Sequence, residues 1–356
     1  MKQTFETNGN NIDQWIAVDF PGTLDTGTPV IMVENNHKTI VGMYFGVMSG
    51  PTIIAQLTPY TVNWIMENAD WTQESTCDAT NHHNKPRNNE NIFTSCSCGL
   101  SNEDNVPRRK RSIGSRRHTA PLEYFNKWSP QNNRIHNGNS VTNDNRYPWQ
   151  VLVFNKKDKD ADIYNSNPNN RDFDICSGSI ISSSHILTSA ECLLKNKNNK
   201  EDYSPFDYIE VKVGHPDRRD GMYKKIKQFF FHELAFTEGY NYNIGRTILQ
   251  NKLSLMARLE ISNLWPFLAI LELKEPVHFT EKIRPICLPR RDMNIYYTSA
   301  AGAVAGWGSL GLGGIDWASY LQEKGVFIFD NNICKTQMHI QGQEAWEARG
   351  SNALSE

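Results

Sequence analysis

Long apolar runs are what this chain most lacks. Nothing in it approaches the roughly 20 consecutive apolar residues that cross a bilayer, so the sequence holds no membrane-spanning helix. An excess of one charge sign is also missing. With 37 Lys and Arg against 39 Asp and Glu, the formal net charge is -2, and bulk electrostatics argues for neither nucleic acid nor an anionic membrane as partner. The opening residues, Met1 to Asn11, have no apolar core and do not read as a signal peptide. Standard zinc spacing is absent too. His82 and His83 lie near Cys77 in Asn-rich sequence but match no zinc pattern, so no metal and no cofactor are expected. What is present is a polar-leaning soluble chain of 356 residues, 38% hydrophobic and 21% charged, enough for about two domains.

Four zones separate along the chain. Residues 1–75 carry strand-like runs, Thr28 to Val33 and Thr39 to Val47, then an amphipathic end in which Leu57, Val62, Ile65 and Met66 recur near helical spacing. Residues 76–133 are rich in Asn, Ser, Arg and Pro and read as a linker or propeptide-like segment with little core-forming content. Residues 134–335 return to β patterning. Residues 336–356 form a tail whose Gln343 to Gly350 stretch reads as a short helix capped by glycine.

Six ordered blocks in the third zone are specific. Arg134-Ile135-His136-Asn137-Gly138 opens it, and Tyr147-Pro148-Trp149-Gln150-Val151 follows. The third block runs from Ile175-Cys176-Ser177-Gly178 to Leu187-Thr188-Ser189-Ala190-Glu191-Cys192. Ile283-Arg284-Pro285-Ile286-Cys287 comes next, then Ala305-Gly306-Trp307-Gly308, then Asn332-Ile333-Cys334. This series resembles the trypsin-like serine proteases (peptidase S1 family): an R-I-V-G-G activation site, a W-P-W-Q-V strand, the C-G-G-S…T-A-A-H-C stretch, the crossing between barrels, and the T-G-W-G turn.

The nucleophile motif G-D-S-G-G-P does not follow them. A counterpart stands near the start instead: Leu24-Asp25-Thr26-Gly27-Thr28-Pro29, then Val41 to Gly46, then Thr58 to Ile65 in place of the closing helix. Residues 1–75 therefore resemble the C-terminal half of an S1 domain set ahead of the N-terminal barrel and the start of the second. Tandem domains cut at both ends are the expected explanation. The alternative is a circular permutation in which the first segment completes the second barrel of the same chain. The intervening linker has a root-mean-square reach of about 40 Å, enough to cross a domain. Either way, the resemblance implies an all-β fold of two antiparallel Greek-key barrels, the second partial or completed by the N-terminal segment.

The resemblance also locates the chemistry. Amide hydrolysis in this family needs a hydroxyl nucleophile, an imidazole base and a carboxylate that orients it. Glu191 stands where the histidine belongs, and a carboxylate is a weak base at neutral pH. Phe267 stands where the aspartate belongs, just after an extra stretch from Ile244 to Trp265. Thr26 stands at the nucleophile. Leu24 replaces the glycine whose N–H helps form the oxyanion hole, and Asp25 is the acid that would receive the Ile135 ammonium after cleavage behind Arg134. His185, at a strand opening, reads as a surface residue. The specificity position falls near Phe20.

The implied disulfides are Cys176–Cys192 and Cys287 with Cys96 or Cys98. Cys334 and Cys77 have no assigned partner, and a total of 7 cysteines leaves at least one thiol over. Disulfides imply an oxidising, extracellular setting. The expectation is that the chain begins downstream of its natural start. In a secreted linker, Arg108-Arg109-Lys110-Arg111 reads as a convertase cleavage site. The expected function is a catalytically inactive S1 homologue that binds or regulates proteins: proteases, inhibitors or protein ligands, without nucleic acid or a membrane span. The alternative is an active serine endopeptidase represented by a truncated or misassembled chain.

Overall fold

The computed structural model describes residues 15–18, 24–34, 37–47, 52–69, 98–101, 138–143, 145–160, 173–193, 204–232, 268–289, 300–308 and 318–329. Thirteen strands and one α-helix are formed among them, all strands pairing antiparallel. The N-terminal segment contributes β1 (Trp15–Val18), β2 (Pro29–Glu34), β3 (His37–Val47), β4 (Thr52–Gln56) and α1 (Pro59–Asn68). The body adds β5 (Asn139–Ser140), β6 (Gln150–Lys156), β7 (Phe173–Ile180), β8 (His185–Ser189), β9 (Ile209–Val213), β10 (Met222–Phe231), β11 (Leu268–Leu273), β12 (Ala300–Gly306) and β13 (Gln322–Phe329).

The body closes a first barrel on itself in the order β10-β11-β8-β7-β6-β9, with β9 returning to β10. Its strands are rich in Val, Ile, Leu and Phe, and β6 is buried along its whole length. Two polar members at the end of β6 are paired. Asn155 donates to the Cys192 carbonyl at 3.0 Å, and Lys156 pairs with Glu210 at 2.9 Å.

The second barrel is built from two separate parts of the chain. Its order is β1-β4-β3-β2-β12-β13, with β13 pairing back to β1 and β5 attached to β13. Strands β1 to β4 come from the N-terminal segment; β12 and β13 come from the body. One seam joins Val30 and Ile31 to Val304 and Ala303, and the other joins Ala17 and Val18 to Phe329 and Ile328. The structure therefore takes the self-completed arrangement rather than leaving an open barrel whose unpaired edge would invite aggregation. Neighbouring residues of β2 and β3 serve different cores, as the pleat demands. Val30, Val41 and Tyr44 join Leu24, Ile54, Val304, Val326 and Ile328 inside the second barrel. Ile31, Ile40 and Met43 belong to the larger core that includes the first barrel.

Helix α1 locks the N-terminal segment onto the body. Thr58 caps it, accepting from the Thr61 N–H, and Pro59 sits where a missing N–H costs nothing. Its buried face is Thr61, Val62, Trp64 and Ile65; of the residues expected at helical spacing, Val62 and Ile65 lie on that face, Met66 is half-buried and Leu57 is buried ahead of the helix. Trp64 and Tyr60 close on His232, just past β10, with ring centroids 4.8 and 5.4 Å away. His232 is fully buried.

Two predictions follow from these junctions. Ile31→Cys with Ala303→Cys places thiols on paired residues across a seam. On a non-reducing gel the double variant should run as a faster, internally linked monomer; a linked dimer would contradict self-completion. Burial depresses the His232 pKa from 6.5 to about 4. Because the folded value lies below the unfolded one, this imidazole's contribution is complete above about pH 6.5 and is lost as pH falls toward 4. The loss should reach about 3 kcal/mol, and His232→Phe should flatten that part of a pH–stability curve measured by denaturant titration.

Candidate functional site

A tight elbow, Leu24 to Thr28, sits where the two barrels meet. The Thr28 N–H bonds to the Asp25 carbonyl at 3.0 Å, and Gly27 adopts φ 84°. Glycine is required there, because a Cβ would stand 2.2 Å from the Ser177 carbonyl oxygen. Backbone bonds clamp the elbow from both sides. Gly27 N–H donates to Tyr44 O at 3.1 Å and Tyr44 N–H to Thr28 O at 2.8 Å, within the second barrel. From the first barrel, Ser177 N–H donates to Thr26 O at 3.0 Å.

The carboxyl of Asp25 points into this junction and is almost wholly buried. Its Oδ2 accepts from the Trp307 N–H at 2.9 Å and from the Ser177 hydroxyl at 3.4 Å. Oδ1 has no partner among the described residues. Burial raises the Asp25 pKa to about 7, only partly countered by the Trp307 amide, the Ser177 hydroxyl and the Arg218 charge. Trp307 is itself held by Nε1 donating to the Pro216 carbonyl at 2.8 Å. Beneath it lies the buried Lys212, 5.1 Å from a ring centroid of Trp307, its ammonium bonded to the carbonyls of His215 and Asp217. Desolvation lowers the Lys212 pKa to about 7.

Glu191 lies beside this elbow. It sits half-buried in a short 3-10 turn, Ala190–Leu193, directly after β8. The disulfide Cys176–Cys192 closes the turn, and Cys192 Sγ stands 3.6 Å from the Thr26 carbonyl oxygen. The start of β11 runs alongside, with Leu268 paired to Ser189. Thus the segments bearing Thr26 and Glu191 are brought together. Phe267 lies outside the described residues, as do Cys96, Arg108, Arg111, Arg134, Ile135, Phe20, His82, His83, Cys77, Cys334 and the Ile244 to Trp265 stretch. A second disulfide joins Cys98 to Cys287. Beside it Gly99, at φ 66°, lets the chain approach Lys38 more closely than any side chain would allow.

Imidazoles at this level of the fold are engaged elsewhere. His185 is buried rather than at the surface, with Nδ1 2.9 Å from the Ser182 hydroxyl. It lies at the far end of β8, about 14 Å from Ser189 at a strand's rise per residue. His37 bonds to the Cys98 carbonyl at 2.9 Å, and His215 accepts the Asp217 N–H at 3.0 Å. Among the described residues, no cluster of three or more His, Cys, Asp or Glu could hold a metal ion. Nor is any described helix long and apolar enough to cross a membrane.

Comparison with known proteins places this geometry. The trypsin family model matches residues 267–351, and the model of the nematode trypsin-6-like family matches residues 122–215. Human transmembrane protease serine 11B is 29% identical over 210 residues, covering 59% of this chain and 39% of that protein. The chain is a trypsin-like serine protease homologue. Its likeness extends to Drosophila melanogaster serine protease filzig, 27% identical over 55% of the chain and 9% of that protein. Serine proteinase stubble, from the same fly, is 26% identical over 56% of the chain and 20% of that protein. In each case the homologue spans less than half of its relative's length.

Sequence reasoning missed Tyr44, Ser177 and Lys212. Each lies in an ordinary strand pattern, and only the register between strands brings them to the elbow. The Asp25 environment of the trypsin-like homologue is testable in the uncleaved chain. Its folded pKa of about 7 exceeds the unfolded value near 3.8, so its contribution is lost as pH rises between those values. Asp25→Asn should remove a decline of about 4 kcal/mol between pH 4 and pH 8, read by urea titration. An unchanged pH slope would contradict a buried, proton-holding carboxyl.

Proposed function

We propose that this chain is a noncatalytic member of the trypsin-like family that works by binding proteins outside the cell. The observation that carries the reading is Glu191. It occupies the turn closed by Cys176–Cys192, next to Thr26, where hydrolysis would need an imidazole. An ionised carboxylate there neither takes the nucleophile's proton efficiently at neutral pH nor presents a second nitrogen for an aspartate to orient. Thr26 carries an extra methyl at the nucleophile position, and Phe267 has no proton-accepting group. Any one of these losses costs several orders of magnitude in rate.

The partner class is protein: proteases, inhibitors or other protein ligands met by the surface loops. Two disulfides fit an oxidising, extracellular setting. Cleavage behind Arg134 would release an Ile135 ammonium, and the unpartnered Oδ1 of Asp25 is suited to receive it. The basic run from Arg108 to Arg111 is the proposed convertase site. Processing would then rearrange a scaffold rather than switch on an enzyme.

The test uses the purified chain, before and after cleavage. A fluorophosphonate probe and chromogenic peptides with Arg, Lys, Phe or Ala at the cleaved bond should give no labelling and no turnover above buffer. Stoichiometric labelling, or turnover abolished by Thr26→Ala, would instead favour the active endopeptidase.

A further inference from the structure

The second barrel closes only because two stretches of chain meet, and their junction has the make-up of a subunit interface. From the N-terminal stretch, Ile31, Ile40, Val62, Trp64 and Ile65 are buried in one core with the first barrel. Leu24, Val30, Val41 and Ile54 share the other core with Val304, Val326 and Ile328 of the body. Backbone hydrogen bonds cross beside them. Ser177 N–H donates to Thr26 O at 3.0 Å, Ile40 N–H to Cys287 O at 3.0 Å and Cys287 N–H to Lys38 O at 3.2 Å. Trp307 N–H donates to Asp25 Oδ2 at 2.9 Å. Trp64, stacked against His232, is a buried aromatic anchor. An apolar centre with such an anchor and paired backbone is the composition of an obligate interface.

Covalent continuity adds little to a surface of this kind. The described residues show one disulfide across the junction, Cys98–Cys287, and the peptide link runs through residues 70–137. A flexible tether supplies an effective concentration of about 1 mM or less. An interface of nanomolar strength holds at micromolar protein without it.

We propose that residues 15–69 act as a subunit: when the chain is cut within residues 102–133, they stay seated on the body, completing the second barrel as a separate chain, and do so without the disulfide. The partner that the exposed edges of β12 and β13 fit is thus a four-stranded antiparallel sheet with a closing helix, from the same copy of the protein. Asp25 and Thr26 then lie on one chain, and Ser177, Glu191 and Trp307 on the other, so the site is made by association. If Arg108 to Arg111 is the processing site proposed above, this two-chain molecule is the secreted form. The inference stands on the strand pairing and not on the noncatalytic reading.

The test cuts the folded, full-length protein once, at a viral-protease recognition sequence inserted after Arg111. With Cys77, Cys96, Cys98 and Cys287 replaced by serine, no disulfide can join the two pieces. At about 1 µM protein they should co-elute from a gel-filtration column at the mass of the uncut chain and part only in urea. Separate elution in native buffer would overturn the inference. Elution at twice that mass would overturn it too, because a second copy would then be supplying the segment. Should the serine variant misfold, the cut chain with its native cysteines carries the test. Amide exchange at Ile40, Ser177 and Trp307, which all donate across the junction, should stay within roughly 3-fold of the uncut chain. A larger rise at these three, with Val151 and Leu152 of the first barrel unchanged, means that the segment has left its seat and the inference fails. Fluorophosphonate labelling of either form would sink the noncatalytic reading and leave this one standing.

Discussion

One buried contact organises the molecule: the Asp25 carboxyl against the backbone N–H of Trp307. Asp25 belongs to the N-terminal segment, Trp307 directly follows β12, and Ser177, which donates to the same oxygen, belongs to β7 of the first barrel. Three parts of the chain thus meet on one oxygen atom. Gly306 is needed beside it, since a Cβ there would approach the Thr28 hydroxyl to 2.9 Å. A carboxylate in such a place is costly unless it is paired, and the nearest cationic influence, Arg218, is too weak to hold it ionised. The proton settles the conflict. Held near pH 7, the group acts more as a neutral hydrogen-bonding pin than as half of an ion pair.

That pin explains how two segments far apart in sequence form one barrel. The seams between them consist of two residue pairs each, little by themselves. What fixes the N-terminal segment is the sum of the elbow clamped between Tyr44 and Ser177, the Trp64 and His232 packing under α1, and β3 bonded to Cys287. At this last junction Ile40 N–H donates to Cys287 O at 3.0 Å, and Lys38 N–H to Gly99 O at 3.0 Å. The long linker costs little, because closure entropy grows only with the logarithm of loop length. The Cys98–Cys287 disulfide, spanning 189 residues, removes further freedom from the unfolded chain.

Local structure was legible where one residue's environment is set by its near neighbours. Strand-like runs at Thr28 to Val33 and Thr39 to Val47 marked β2 and β3, and the spacing of Val62 and Ile65 marked α1. Residue identity located Glu191, because the cysteines around it bound the turn. Pairing across the chain was not legible. Nothing in β2 says whether its neighbour is β12 of this chain or of another domain, so tandem domains and self-completion read alike. The choice between Cys96 and Cys98 was open for the same reason. The structure joins Cys98 to Cys287, beside a backbone approach at Gly99 that leaves no room for a Cβ. His185 looked exposed because it opens a strand, whereas the Ser182 hydroxyl lets it be buried.

The departures at the elbow support one another, and this bears on how such a site comes to differ from a catalytic one. An active elbow must turn its first amide toward solvent and keep that position small, which sacrifices packing for chemistry. Here Leu24 and Tyr44 share the apolar interior of the second barrel, and Ile54 stands opposite Tyr44 across the strand pair. On the proposed noncatalytic reading, the elbow has exchanged a strained, outward-facing geometry for a packed one. On the same proposal, the framework of barrels and disulfides serves as a binding scaffold.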